Sequence, residues 1–80
     1  MAKKKTVKHL RKEAELKVIG QNIKKVRELR GLTQNELAFM CGDKDWSQIS
    51  RMERGVVNFL TSYLLLVSEK LEVSPKELLP

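Results

Sequence analysis

The stretch DWSQISRMERG, residues 45–55 of this 80-residue chain, is dense in hydrogen-bonding side chains. Ser47, Gln48, Ser50, Arg51 and Arg54 all donate, and the serines and glutamine also accept. Its aliphatic positions, Ile49 and Met52, are three apart. On a wheel of about 100° per residue, Ile49, Met52 and Glu53 share one side. Ser47, Ser50, Arg51 and Arg54 cluster opposite, with Trp46 and Gln48 on the two flanks. The outer face is thus short polar side chains and arginine, with no carboxylate at its centre. Arginine can donate two hydrogen bonds to guanine O6 and N7, and serine can donate or accept. A central carboxylate would repel phosphates. The face suits a DNA major groove; taken alone, it also suits a merely solvated helix surface.

Catalytic chemistry has a poor basis. The single cysteine, Cys41, excludes an internal disulfide, and the single histidine, His9, lies far from it in sequence, which argues against a metal cluster. There is no paired-carboxylate pattern and no convergent nucleophile–base site, so an enzyme is not expected. Cys41 reads as a small buried core residue. No cofactor or metal is implied.

The elements that position residues 45–55 are helical, because spacings of three and four dominate and no alternating strand pattern appears. Val7, Leu10, Ala14 and Val18 form either a short helix or an extension of the next one, with Gly20 weakening continuity by about 1 kcal/mol relative to Ala. Ile19, Ile23 and Val26 carry a helix to Arg30, and Gly31 suits its stop. Thr33-Gln34-Asn35-Glu36 is a capping box. The helix it opens buries Leu37, Ala38 and Cys41 and ends at Gly42. Ala38 is small enough for a steep helix crossing, with Gly42 near the turn. Asp45 is a good cap for the helix of residues 46–54. Thr61 or Ser62 caps a fourth helix carrying Leu64, Val67 and Leu71. Ser74-Pro75-Lys76-Glu77 is a second capping box and starts a short closing helix. The sum is a compact all-α domain of five helices of about ten residues or fewer.

Charge is unevenly distributed. Residues 1–17 hold seven Lys/Arg against Glu13 and Glu15, a net +5; residues 18–80 hold nine against eight, a net +1. The chain therefore divides into a basic N-terminal arm, 1–17, and a helical domain, 18–80. Such an arm suits a polyanion, or is a solvated tail. No segment has the apolar length to cross a membrane, and the basic start lacks the apolar run of a secretory signal, so a cytoplasmic location is expected.

Residues 19–79 resemble the Cro/cI-type (XRE) helix-turn-helix family, with its lambda-repressor-like domain. The matching segments are IGQNIKKVRELRGLTQNELA, QISRMERG and LLLVSEKLEVSPKEL. The resemblance implies sequence-specific binding of double-stranded DNA. It places Trp46, Ser47, Gln48, Ser50 and Arg51 on the base-reading surface. Gln34 would bind a phosphate, with Thr33 sharing that contact and Lys44, Arg54 and Asn58 also near the DNA backbone. Arg27 and Glu53 would form a structural ion pair. The turn of residues 42–45 is one residue longer than the family's usual turn, and Phe59 stands where the family often has proline. Trp46 either contacts DNA or packs over the lengthened turn, and packing is favoured.

Phe59, Leu60, Tyr63 and Leu66 exceed what the fourth helix needs for a core. This surplus points to a homodimer, in keeping with operators of two symmetric half-sites. Within that reading stand a nucleoid-associated repressor, a restriction–modification controller and an antitoxin with a toxin partner. A protein-interaction module with only nonspecific nucleic-acid affinity is the alternative of another class.

Overall fold

The computed structural model describes residues 2–56 and 59–80, with side chains from residue 13 onward. Four α-helices follow in order: α1 (Ala2–Leu29), α2 (Gln34–Met40), α3 (Ser47–Arg54) and α4 (Thr61–Leu71). A 3-10 turn (Pro75–Leu78) follows them. No strand occurs among the described residues. The closing element is therefore one 3-10 turn rather than a fifth α-helix. Its capping box forms as expected, but Leu79 is already back in extended backbone, at φ −82° and ψ 157°.

The first helix also departs from expectation, at 28 residues instead of about ten. The backbone is helical across Lys17 and Val18 and straight through Gly20, so the stripe of Val7 to Val18 belongs to an extension of the following helix. Among the residues whose side chains are described, the first buried one is Ile19.

Gly20 is explained by what lies against it. A Cβ there would fall 2.5 Å from the Glu53 carbonyl oxygen and closer still to that of Met52. The missing side chain is what allows α1 to approach the α3 backbone. A second glycine serves the same contact. Gly55 ends α3 in the left-handed conformation at φ 70°, and a Cβ there would fall 2.7 Å from Lys17 Cα. Backbone therefore meets backbone at both points, which fixes the crossing of α1 and α3 without long side chains between them.

The core is built from one stripe of each helix. Ile19 and Ile23 from α1 meet Leu37 and Ala38 from α2, Ile49 and Met52 from α3, and Leu64, Val67 and Leu71 from α4, with Leu78 closing it. Polar bonds at the helix ends hold the frame. Arg30 Nε donates to the Leu71 carbonyl at 2.9 Å and Nη2 to that of Glu72 at 3.2 Å, placing a cation at the negative end of α4. Asn22 Nδ2 donates to the Leu78 carbonyl at 3.0 Å and ties the closing turn to α1. The N-cap of α4 is Leu60, with no side-chain bond, in place of the expected Thr61 or Ser62. No helix among the described residues is long and apolar enough to cross a membrane.

Candidate nucleic-acid interface

The helix preceding α3 is pinned first. Thr33 Oγ1 accepts the Glu36 N–H at 3.0 Å, and the Thr33 N–H donates to Glu36 Oε1 at 2.8 Å, so both arms of the capping box close. This fixes the start of α2, where Thr33 is exposed and Gln34 is half-buried.

An ion pair then locks α3 onto α1 and α2. Arg27 Nε donates to Glu53 Oε2 at 2.6 Å, and Nη2 donates to Oε1 at 3.1 Å. The remaining guanidinium nitrogen, Nη1, donates to the Leu32 carbonyl at 2.7 Å. Hydrogen bonding to Glu53 holds the Arg27 pKa above its ordinary value, with burial opposing. Gln34 Nε2 also donates to Glu53 Oε1, at 2.9 Å. The carboxylate thus gathers donors from both preceding helices, and Gln34, expected at a phosphate, spends its amide nitrogen inside the protein.

The start of α3 lies one residue later than expected. Trp46 occupies the N-cap position with no side-chain bond, and the helix begins at Ser47. The capping bond nevertheless comes from Asp45, whose Oδ1 accepts the Ser47 N–H at 2.8 Å. That bond holds the Asp45 carboxyl below its usual range.

Ile49, Met52 and Glu53 are buried on the inner face. Arg51 and Arg54 are exposed, and Ser47 and Gln48 are half-exposed. Arg51 Nη2 donates weakly to Gln48 Oε1 at 3.4 Å, and Arg54 Nε to the Ser50 carbonyl at the same distance. Ser50 departs from its expected place on the outer face: it is only 8% exposed. Because α3 packs against both α1 and α2, more of its circumference is covered than a single-sided wheel allows. Trp46 departs from the favoured packing over the turn. It is 49% exposed and lines a depression with Arg27, Thr33, Gln34 and Asn35 at the start of α2. Lys44 is exposed on the turn; Asn58 lies outside the described residues.

Two of the four expected interface residues have places inside the protein. Phe59 and Tyr63 pack partly against the core. Leu60 is 76% exposed, and Leu66 is half-buried. The apolar surplus in the sequence was read without Leu65, which is 49% exposed on the same helix; an uninterrupted run of three leucines at 64–66 is the signal that could have found it. Leu60, Tyr63, Leu65 and Leu66 line one mainly apolar depression on α4, together with Ser62 and Glu69. Burial pushes the Cys41 thiol up, with nearby Asp43 adding to it, so it is no activated nucleophile.

An all-helical frame with a capped helix, a tight turn and a second helix clamped on its inner face defines a DNA-binding protein of the helix-turn-helix class. Residues 23–78 match the HTH_3 helix-turn-helix family model, and the chain belongs to that family of transcription regulators. Among solved structures it is similar to the restriction-modification controller protein C.AhdI from Aeromonas hydrophila, at 35% identity and a TM-score of 0.77. That match covers 82% of this chain and 94% of the other. It is also similar to the hypothetical transcription factor NHTF from Neisseria, at 32% identity and a TM-score of 0.76, covering 85% and 78% of the two chains. The controller protein C.Esp1396I is 35% identical with a TM-score of 0.70, covering 79% and 80%. No curated protein sequence matches.

Proposed function

We propose that this chain is a homodimeric, sequence-specific regulator of transcription that seats α3 in the DNA major groove. One observation carries the reading. The inner face of α3 is fixed by Ile49, Met52 and Glu53, while Ser47, Gln48 and Arg51 stand on its outer face with no carboxylate among them. Arg51 reads a guanine edge; Ser47 and Gln48 address neighbouring bases. Trp46, exposed beside the start of α2, contacts the sugar edge or a thymine methyl. Thr33, Gln34, Lys44, Arg54 and Asn58 contact phosphates and set the register. The Gln34 nitrogen already serves Glu53, so its phosphate contact uses the backbone N–H. Ser50 leaves the base-reading set because it is buried.

The dimer is formed through the depression on α4, with Leu60 and Leu65 as its exposed part and Leu66 half-buried. A controller role in a restriction–modification system is favoured by the similarity to two controller proteins at 35% identity, one of them over nearly its whole length. The chain acts on DNA in the cytoplasm, at the nucleoid.

Selection of bound sequences from a random DNA pool tests the function. The expected product is a pair of symmetric half-sites about one helical turn apart. Arg51→Ala should relax preference at one position in each half-site and cost about 1–3 kcal/mol per contact, whereas Lys44→Ala should weaken binding to all sequences about equally and flatten the salt dependence. Binding that falls with salt but selects no sequence would defeat the proposal and leave a nonspecific interaction module.

A further inference from the structure

We propose that the Tyr63 hydroxyl is a positioning group that couples α4 to the start of the reading helix through Asp43. The inference rests on the DNA-binding role proposed above, and deepens it by naming what sets the presentation of α3. Tyr63 lies in the first turn of α4, with its ring half-buried against the core. Its hydroxyl donates to Asp43 Oδ2. Asp43 belongs to the lengthened turn and is held on the other side by its own N–H, which donates to the Ala38 carbonyl at 2.9 Å. Two residues on, Asp45 caps the Ser47 N–H. A continuous chain of bonds and backbone therefore runs from α4 to the first residue of α3.

The placement of Tyr63 makes this chain more than a local staple. The ring lines the apolar depression on α4 together with Leu65 and Leu66. The same residue lines a cleft of about 640 Å³ with Asp43, Asp45, Ser47, Gln48 and Arg51. One side chain thus borders both the proposed subunit contact and the reading face. Burial, reinforced by the bond to Asp43, pushes the Tyr63 hydroxyl up, so it remains a donor at every working pH. Groups that read bases must be held to within about 0.5 Å of their productive place, and a turn with an extra residue has more freedom to lose that place. The Tyr63–Asp43 bond removes that freedom.

Tyr63→Phe deletes the hydroxyl and keeps the ring. With DNA carrying the selected sequence, and with random-sequence DNA as reference, specific affinity should fall roughly tenfold, the scale of one hydrogen bond to a charged group. Nonspecific affinity and the sedimentation-derived oligomeric state should not change. Amide exchange at Ser47 should accelerate several-fold while that at Leu71 does not. Asp43→Ala should behave like Tyr63→Phe, the double variant should be no worse than either, and Asp43→Asn, which still offers an oxygen, should restore most of the specific affinity. Equal loss of specific and nonspecific affinity, a dissociated oligomer, or unchanged Ser47 exchange in Tyr63→Phe would each overturn the inference. A wild-type protein with no sequence preference would overturn the DNA-reading proposal instead, and Ser47 exchange in Tyr63→Phe would still decide the coupling.

Discussion

Arg27 and Glu53, 26 positions apart, meet through two parallel hydrogen bonds, Nε to Oε2 at 2.6 Å and Nη2 to Oε1 at 3.1 Å, in a place where both side chains are almost fully buried. Gln34 adds a third donor to the same carboxylate. The inner surface of α3 is therefore fixed by directional bonds as well as by the apolar contacts of Ile49 and Met52. Breaking a buried pair by removing one partner leaves a charge without compensation and costs about 3–5 kcal/mol. Arg27→Met should accordingly lower the melting temperature by more than about 10 °C in circular dichroism melts. Replacing both partners, as Arg27→Met with Glu53→Leu, should recover part of that loss. An unchanged melting temperature for Arg27→Met would show that the pair is not structural.

Gly20→Ala reverses the usual sign of a glycine-to-alanine exchange in a helix. In an open position alanine gains about 1 kcal/mol. At Gly20 the added Cβ meets the backbone carbonyls of Met52 and Glu53, which cannot rotate aside. The expected result is a loss of about 1–3 kcal/mol, as for overpacking, read from urea denaturation of the two proteins side by side. A gain in stability would mean that α1 and α3 do not approach as described.

The Asp45 cap should fail in acid. Its carboxyl titrates below the ordinary value of 3.8, chiefly because it accepts the Ser47 N–H. A group whose folded-state pKa is depressed contributes fully above its unfolded value and loses that contribution as the pH falls through the folded one. Protection of the Ser47 amide should therefore be constant above about pH 5 and decline below pH 3.8. Asp45→Asn should weaken that decline. Exchange at Ser47 that ignores pH across this window would exclude the cap.

Leu65→Glu tests the proposed subunit contact. Leu65 is half-exposed and lies outside the core, so the fold should survive the charge. Sedimentation equilibrium should show a dimer for the parent chain and a monomer for the variant, with a circular dichroism spectrum unchanged. A variant that remains dimeric would move the contact elsewhere on the molecule.

The chain's local chemistry was readable from its residues; the Arg27–Glu53 pair was expected through the family resemblance, and the closer backbone approaches were not readable. Both capping boxes, Thr33 with Glu36 and Ser74 with Glu77, form because each closes within three residues and needs nothing from the rest of the fold. Glu53 points inward because Ile49 and Met52 on the same arc leave it no other side. Ser50 misled because a wheel sees one helix alone, whereas α3 is covered by two. Gly20 reads in sequence as a weak point in a helix; its purpose lies in a carbonyl more than thirty residues away. Trp46 was expected over the turn, but it stands half-exposed beside the start of α2.

The backbone contacts at Gly20 and Gly55 carry a further meaning. Main chain rests on main chain there, and the side-chain hydrogen bonds of Ser47, Gln48 and Arg51 stay within residues 45–51. None of these three residues belongs to the core. Substitution at these three positions should therefore leave the chassis intact. Under the proposed function, a new DNA target would not call for a new fold.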